Sequence, residues 1–440
     1  MYIGMDDTDS KNGMCTTYLM SELVNKIHNI YDIIGFPKLV RLNPNIPWKT
    51  RGNGALSLKV GYGYGRKIRI GAIGNETIYG YEKARNISID KKKLYDLVDG
   101  IVNRYARFED PMTNPGFVIS EKKLSERYYW RAVREVVDIN YMVDELQING
   151  IDFKGYKNRR GLIGAAASIS WRGRRKTYEL ITYRETDKWN LSSRSVDATS
   201  VKEVELKIRG NFNTYDLFND RSCIAPHTKC PILYGVRATS YKPLYDVLSM
   251  ISSEPVSRWL IYETNQGTDD HIINNRTIKD ISPFSSSRLK VTVESPPFVG
   301  RGGDVFVKVK DASSSITAAF YKESAPMTSV AANLIPGDEL ILYGSMRSKG
   351  SKEKTLNIEK MIIKSAADLY KKYENPVCPI CNKHMKSAGN GEGYRCRKCR
   401  TKTMIPVIKK VDRIVKENIY EPAASRRRHL SMPAKMMTIN

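Results

Sequence analysis

The first eighteen residues constrain the fold most, because an apolar strand there ends in carboxylates and leads into a helix. Residues 1–5 form a short apolar run typical of a buried strand. Asp6, Asp7 and Asp9 follow it directly, and after a short turn the apolar periodicity of residues 18–27 predicts a helix. The pattern predicts an α/β unit with three carboxylates between its first strand and first helix.

Carboxylates in this position favour a metal–phosphate site. Oxygen ligands suit Mg²⁺, and the N-terminus of a helix attracts anions. We therefore predict Asp6, Asp7 and Asp9 as magnesium ligands, with Thr16 or Thr17 meeting phosphate at the helix start. An aspartate-rich turn that only caps the helix is the alternative, and the position directly after a buried-type strand argues against it.

The charge of the chain indicates a polyanionic partner. Among 440 residues, 72 Lys and Arg face 47 Asp and Glu, giving a net charge of +25 and a pI near 9.6. Nucleic acid is the first candidate and an anionic membrane surface the second. No stretch of eighteen apolar residues occurs, no basic amphipathic helix stands out, and the N-terminus is unlike a signal peptide. These features favour nucleic acid and a cytoplasmic location.

A glycine-rich segment before the strand at 55–60 is a candidate phosphate site. It contains Lys49, Arg51, Gly52, Asn53 and Gly54. Glycines let the backbone approach a ligand closely, and cations pair with phosphate, although a tight turn with surface charge explains the segment equally well. The alternating glycines of residues 61–65 predict a flexible loop.

The middle of the chain alternates helices and strands. Helices are predicted at 90–107 and 121–148, and the small residues of 161–169 predict a closely packed core helix. Strands are predicted at 177–184 and 204–209. Cys223, His227 and Cys230 follow at metal-like spacing but lack a fourth ligand, which favours a polar loop near a substrate.

Two further modules follow. A strand, helix and strand at 233–238, 243–251 and 258–264 predict a ferredoxin-like unit. Residues 287–363 alternate with period two, and five strands with a helix before the fourth match an OB barrel, which commonly binds single-stranded nucleic acid. Aromatic and basic residues suited to stacking on bases are Phe298, Arg301, Phe306, Phe320 and Tyr321, of which about half are expected to fill the core.

Two C-x-x-C pairs near the end give the clearest metal signal. Cys378, Cys381, Cys396 and Cys399 predict a closed, structural Zn²⁺ site, with His384 a weaker alternative ligand. Arg397 and Lys398 should face phosphate. The basic residues beyond 405 predict a disordered tail that contacts nucleic acid.

The opening GMDDTDSKNGMCTTY resembles the archaeal tRNA(Ile) 2-agmatinylcytidine synthetases. The acidic loop that runs into Thr-Asn-Pro-Gly near Asp110 and the Thr-Asn-Gln-Gly-Thr-Asp segment at 264–269 resemble the same family. The resemblance spans nearly the whole chain. It implies a multidomain α/β and α+β fold: a kinase-like ATP-binding domain at 1–125, a ferredoxin-like domain at 126–283, an OB-fold domain at 284–368, a zinc ribbon at 374–404 and a basic tail at 405–440.

The resemblance also implies an activity. Such a ligase uses ATP to activate the 2-carbonyl oxygen of the wobble cytidine in the CAU anticodon, and agmatine then displaces the leaving group. Asp6, Asp7, Asp9 and Thr16 would be catalytic, with Thr16 open to phosphorylation, and Asp110 would join the glycine-rich segment at ATP. Carboxylates and amides suit a dication such as agmatine, which implicates Asn265, Gln266, Asp269, Asp270 and His271.

tRNA contacts are expected from Phe298, Arg301, Phe320, Arg397 and Lys398. ATP, Mg²⁺ and a structural Zn²⁺ are the expected cofactors, and tRNA(Ile) and agmatine the partners. The alternative is a non-catalytic single-stranded nucleic-acid-binding protein built from the barrel and the ribbon. A pure binder has no need of three clustered aspartates, which favours the enzyme.

Overall fold

The computed structural model describes residues 1–49, 52–346 and 354–437. Arg51 of the predicted phosphate segment therefore lies outside the described residues. No helix within the described ranges is long and apolar enough to cross a membrane.

Strands from the first 264 residues form one twelve-stranded sheet, with β11 and β12 as a separate pair. The strands are β1 Tyr2–Asp6, β2 Asp32–Ile34, β3 Lys38–Arg41, β4 Gly54–Gly61, β5 Gly63–Ile73, β6 Glu76–Ala84, β7 Gly116–Ser120, β8 Asp152–Gly155, β9 Thr177–Tyr183, β10 Asn211–Phe212, β11 Tyr215–Asp216, β12 Arg221–Ser222, β13 Ile232–Ala238 and β14 Arg258–Thr264. Their order is β10-β13-β9-β14-β5-β6-β2-β4-β1-β7-β8. Because β3 pairs with both β4 and β14, it closes a ring of strands in the middle of the sheet and joins the two predicted N-terminal domains.

Eight α-helices accompany the strands within the described residues. They are α1 Thr16–Ile27, α2 Lys91–Tyr105, α3 Glu126–Arg134, α4 Ile139–Ile148, α5 Gly161–Ser170, α6 Ala198–Lys207, α7 Leu244–Met250 and α8 Met327–Ala331. The helices predicted in the α1, α2, α5 and α7 regions are confirmed, whereas the stretch predicted at 121–148 divides into α3 and α4.

Two predictions of secondary structure are wrong for physical reasons. Residues 204–207 end α6, where Val201 and Val204 are buried one helical turn apart and the Asp197 carboxylate caps the helix from 2.7 Å. The glycines of 61–65 lie in long strands, not in a loop. A Cβ atom on Gly63 would lie 2.3 Å from the ring of Tyr81, so glycine there makes room for a cross-strand aromatic side chain.

Helix α5 packs directly on the backbone of β1 and β7. A Cβ atom on Gly4 would lie 2.2 Å from the carbonyl oxygen of Ala165, and one on Gly161 would lie 2.3 Å from the amide nitrogen of Gly116. Every residue of α5 is buried. The predicted closely packed core helix is therefore confirmed, and it holds the end of β1 in place.

The second unit is a closed barrel. Its strands are β15 Ile272–Ile273, β16 Ser286–Val293, β17 Phe298–Val299, β18 Val305–Lys310, β19 Ser315–Phe320, β20 Glu339–Met346 and β21 Thr355–Ser365. Pairing of β16 with both β20 and β18 closes the ring β16-β20-β21-β19-β18. The five predicted strands are confirmed, and α8 precedes the fourth of them. Leu289, Val307 and Phe320 lie in its core.

The C-terminal region begins with short hairpins and then returns to the rest of the molecule. The strands are β22 Leu369–Glu374, β23 Lys386–Ser387, β24 Tyr394–Arg395, β25 Lys402–Thr403, β26 Val407–Val411 and β27 Asn418–Tyr420. β27 pairs with β21, and Leu430 is buried. The amides of Gly267 and Asp269 each donate, over 2.9 Å, to the carbonyls of His429 and Leu430. The expected disordered tail is therefore wrong for residues 418–437, because apolar burial and backbone pairing order them.

Candidate active site

An acidic cleft lies where β1 ends against α5. Asp6, Asp7 and Asp9 line it together with Lys49, Arg160 and others. The cleft encloses about 70 Å³, which is room for a hydrated cation and not for a nucleotide. The predicted aspartates therefore share one site, and a bound nucleotide would extend beyond it.

Burial and mutual repulsion strongly affect these carboxyl groups. Burial raises the pKa of Asp6 well above its usual value, and the charge of Asp7 adds to the rise. Burial, followed by the charge of Asp9, raises the pKa of Asp7 to about 7. A divalent cation in the cleft would favour the charged forms of both groups, so the donor set fits Mg²⁺.

The three aspartates are not a compact cage for a metal. Among the described residues, the four ribbon cysteines alone form a group of His, Cys, Asp or Glu ligands whose atoms all lie within 4.8 Å of one another. Mg²⁺ usually keeps several waters and takes one or two carboxylates. The open arrangement of Asp6, Asp7 and Asp9 is compatible with that mode of binding.

Thr16 at the start of α1 is held by the third aspartate. The Thr16 amide and hydroxyl both donate to Asp9 Oδ1, over 2.6 and 2.8 Å, and the hydroxyl accepts from Thr8 Oγ1 over 3.0 Å. The Thr16 hydroxyl is therefore oriented by two neighbours, with its proton directed at a carboxylate. A carboxylate in that position can accept the proton if the hydroxyl attacks an electrophile.

The predicted ATP-binding residues divide between the cleft and its surroundings. Lys49, Asn53 and Gly54 line the cleft. Asp110 lines neither the cleft nor the larger cavity beside it. Its carboxylate instead accepts from Ser10 Oγ over 2.7 Å, and this bond holds its pKa below the usual range. Asp110 thus fixes the turn that follows the aspartates.

A larger cavity of about 390 Å³ adjoins the acidic cleft, and this volume is in the range of ligand sites. The two share Asp9, Asn53 and Gly54 as a common wall. The cavity is also lined by Thr16, Thr17, Arg41, Gly52, Glu179, Asn213, Arg221, Cys223, His227, Arg237, Arg427 and His429. Cys223 and His227, predicted as polar loop residues near a substrate, lie on its wall.

The five residues predicted to hold agmatine line neither cavity. Asn265 Oδ1 accepts from the Arg41 amide over 2.7 Å, Gln266 Nε2 donates to Glu179 over 2.6 Å, and Asp269 pairs with Lys360 at 2.7 Å. Asp270 accepts from the Tyr129 hydroxyl over 2.6 Å, and His271 Nε2 lies 3.0 Å from Glu359. Their role at agmatine stays a prediction, and it would require these contacts to be exchanged.

The four cysteines converge as predicted. Cys378, Cys381, Cys396 and Cys399 come together in the hairpins that follow the barrel. The backbone amide of Ile380 lowers the pKa of Cys378 to about 6, which favours the thiolate that a metal binds. Four converging thiols fit a tetrahedral, structural Zn²⁺.

Most of the residues predicted to contact RNA lie on the surface. Phe298 is 66% exposed and stacks on Phe306, and Arg301, Arg397 and Lys398 are exposed. Phe320 is an exception, because it is completely buried in the barrel core and offers no face to a base. The prediction for Phe320 is therefore wrong: its side chain falls on the inward face of its strand.

Several lining residues are absent from the sequence-based predictions. Arg160 and Gly164 reach the acidic cleft from α5, and Arg41, Arg237 and His429 line the larger cavity. The small-residue run of α5 carries a signal for close approach of backbones, but not for what it approaches. The Arg-Arg-Arg-His run at 426–429 signals charge only, and its return to the site depends on tertiary structure.

Comparisons with known proteins bear on this arrangement. Family models described as the TiaS TCKD domain, the TiaS FLD domain and the TiaS C-terminal zinc ribbon domain match residues 2–158, 159–271 and 375–415. The 2-agmatinylcytidine synthetase TiaS of Methanosarcina mazei, named for its isoleucine tRNA, is 37% identical over 98% of this chain and 96% of its own length. The chain belongs to the TiaS family. The TiaS of Methanocaldococcus jannaschii is 33% identical, covering all of this chain and 99% of the relative.

Solved structures of TiaS extend the likeness to the whole fold. The crystal structure of TiaS in complex with its isoleucine tRNA and ATP matches with a TM-score of 0.85 and 33% identity, covering 100% of this chain and 97% of that one. A complex of TiaS with the tRNA, AMPCPP and agmatine matches with a TM-score of 0.83 and 31% identity, again over 100% and 97%. The multidomain architecture with a terminal zinc ribbon is therefore that of TiaS.

Proposed function

We propose that this chain is an ATP-dependent ligase that conjugates agmatine to C2 of the wobble cytidine in the CAU anticodon of tRNA(Ile). ATP activates the 2-carbonyl oxygen, the amine of agmatine attacks C2, and the C–O bond to the activated oxygen breaks. AMP and phosphate leave. The modified base then pairs with A, so that AUA is read as isoleucine.

One observation carries the proposal. The acidic cleft and the ligand-sized cavity share a wall formed by Asp9, Asn53 and Gly54. Phosphates held beside the aspartates would therefore lie next to a cavity that can receive an extruded base. Asp9 also orients the Thr16 hydroxyl, which lines the cavity side of this wall.

The residues around the aspartates suit the triphosphate. Mg²⁺ on Asp6, Asp7 and Asp9 would neutralise charge that develops on the phosphates. Lys49 lies beside the aspartates, and Gly52, Asn53 and Gly54 allow close approach of the backbone. Arg51 and Asp110 complete the proposed ATP set, the first outside the described residues and the second through the turn it holds.

The finer domain assignments belong to the same proposal. Residues 1–125 would be a kinase-like ATP-binding domain, 126–283 a ferredoxin-like domain that contributes to agmatine binding, and 284–368 an OB-fold domain. The exposed Phe298 and Arg301 on the barrel, with Arg397 and Lys398 on the ribbon at 374–404, would bind tRNA. A reducing cytoplasm would keep the four zinc ligands available as thiolates.

The test is to incubate the purified protein with ATP, agmatine and a tRNA(Ile) bearing CAU, and to analyse the nucleosides by mass spectrometry. The expected result is 2-agmatinylcytidine at the wobble position, dependent on both ATP and agmatine. Asp7→Asn should abolish product while leaving tRNA affinity within a few-fold. A non-catalytic binding protein would retain the tRNA and form no product with any combination of substrates.

A further inference from the structure

Two arginines converge on a single carboxylate in the wall of the larger cavity. Arg41 extends from the end of β3 and Arg237 from β13. Arg41 Nη2 lies 3.8 Å from Glu179 Oε2, and Arg237 Nε lies 3.0 Å from Glu179 Oε1. Glu179 also accepts from Gln266 Nε2 over 2.6 Å. One carboxylate therefore serves two guanidinium groups and an amide.

Both guanidinium groups are largely removed from water. Their side chains are only 15% and 12% exposed. Within the described residues, the Nε atoms of Arg41 and Arg237 are buried without a hydrogen-bond acceptor, because the contact of Arg237 with Glu179 lacks hydrogen-bond geometry. Burying a cation without a full complement of acceptors is costly unless an anion compensates.

Neighbouring groups add to the positive surplus. Burial and Arg237 lower the pKa of Arg41, with Glu179 opposing them. His429 lies on the other side of Gly52, since a Cβ atom on Gly52 would be 2.6 Å from Arg41 Nη1 and 3.4 Å from His429 Nε2. The charge of Arg41, followed by burial, lowers the pKa of His429 well below that of an ordinary histidine. The pair is therefore cationic enough to keep a third basic group neutral.

We propose that Arg41 and Arg237, with His429 beside them, form a phosphate-binding site in this cavity. Planar guanidinium groups match phosphate oxygens, and the surplus charge and unpaired Nε atoms supply the donors. The site deepens the proposed function and rests on it. The phosphate comes either from ATP, across the Asp9 wall, or from the RNA backbone beside the inserted cytidine.

Binding measurements on the full-length, zinc-loaded protein test this site without requiring turnover. The probes are inorganic pyrophosphate, Mg–ATP and an RNA anticodon stem-loop carrying CAU, each titrated by calorimetry below the unfolding temperature. Arg41→Gln and Arg237→Gln each remove one cation. Arg66→Gln, at an exposed position on β5, is the control for net charge. We expect at least tenfold weaker binding of one probe class in the first two variants and less than twofold change in the control.

The two sources give different results. Weaker binding of pyrophosphate and ATP alone assigns the phosphate to ATP, and weaker binding of the stem-loop alone assigns it to RNA. Affinities within twofold of wild type for all three probes would overturn the proposal, whatever happens to the unfolding temperature. Failure of the proposed function would show separately, as absence of the modified nucleoside with the wild-type protein.

Glu179→Gln provides a test that loss of structure cannot mimic. Glutamine retains an acceptor for Gln266 but removes the carboxylate that faces both guanidinium groups. We expect this variant to bind the same probe several-fold more tightly than wild type, and to gain a larger rise in unfolding temperature from it. Unchanged or weaker binding would contradict a site whose surplus charge waits for an anion.

Discussion

Asp9 Oδ1 accepts two hydrogen bonds from Thr16, one from the backbone amide over 2.6 Å and one from the hydroxyl over 2.8 Å. The amide bond anchors the carboxylate to the first residue of α1, and the hydroxyl bond directs the Thr16 proton at it. Thr8 Oγ1 donates to Thr16 Oγ1 from 3.0 Å. The helix start therefore presents an oriented hydroxyl with a proton acceptor already in contact, next to the proposed phosphate site.

Substitution of Thr16 tests the importance of that hydroxyl. Thr16→Val retains the backbone amide and the shape of the side chain, so the fold should persist, but ATP consumption should fall at least a hundredfold because the oriented hydroxyl is absent. Thr16→Ser retains the hydroxyl and should keep most of the activity. ATP consumption measures the effect, and mass analysis of the protein after incubation with ATP detects a phosphate on Thr16. Equal activity of the two variants would contradict a role for the hydroxyl.

The raised pKa of Asp7 predicts a pH dependence of stability. Burial, followed by Asp9, raises it to about 7 in the folded protein, whereas an aspartate in the unfolded chain titrates near ~3.9. Between those values the folded state holds a proton that the unfolded state has lost, so the free energy of unfolding should fall as pH rises from about 4 to about 7.

Magnesium should oppose this loss increasingly as pH rises, because a carboxylate must be deprotonated to bind the ion. The measurement is the unfolding temperature between pH 5 and 8, with and without Mg²⁺. Asp7→Asn should flatten the metal-free dependence and reduce the magnesium effect. Parallel curves for wild type and variant would show that Asp7 does not titrate in this range.

Local patterns in the sequence determine the elements of this protein better than the site. The strand before Asp6, the helix from Thr16 and the four converging cysteines all follow from short-range signals, namely apolar periodicity and paired ligands at fixed spacing. The polar segment at 265–271 also gave a strong signal, and the structure shows these residues tying the sheet to the barrel and the C-terminal segment. Polarity alone does not distinguish a buried junction from a ligand site.

The remaining parts of the site depend on contacts distant in sequence. Arg237 and Glu179 meet Arg41 because β3 crosses over to pair with β14, which lies beside β9. His429 reaches the same wall because the chain after the ribbon returns to the loop at 267–269. No periodicity encodes these contacts, so a single sequence could not predict them.

Gly164 predicts a steric test of the acidic cleft. A Cβ atom there would lie 1.9 Å from Asp6 Oδ2, so Gly164→Ala should displace the carboxylate or the helix, with a stability cost of about 1–3 kcal/mol. ATP consumption should fall sharply, because Asp6 can no longer hold its position. Gly100→Ala in α2 is the matched control, since a Cβ atom there has no neighbour within 4 Å among the described residues. Retained ATP consumption in Gly164→Ala would show that the position of Asp6 is not critical.

The cysteine cluster predicts a defined zinc content. The full-length protein should contain one Zn²⁺ per chain, and a Cys396→Ser, Cys399→Ser double variant should contain none, because two ligands cannot replace a closed tetrahedral site. Cys223→Ser, which changes a cysteine in the cavity wall, should retain the metal. Elemental analysis of the three proteins measures the difference. Full zinc occupancy in the double variant would refute the assignment of these ligands.

Leu430 tests whether the C-terminal segment is part of the folded core or an attached tail. Its side chain is 2% exposed and packs in the cluster that also contains Tyr129 and Trp171. Leu430→Ala should therefore cost about 2–5 kcal/mol of unfolding free energy, measured by denaturant titration. Arg426→Gln, at an exposed position four residues earlier, should be neutral within about 0.5 kcal/mol. Because His429 lines the cavity beside Leu430, the leucine variant should also lose modification activity at temperatures where it remains folded. Equal stability of the two variants would mean that the segment binds only weakly, and that the cavity wall it forms is not permanent.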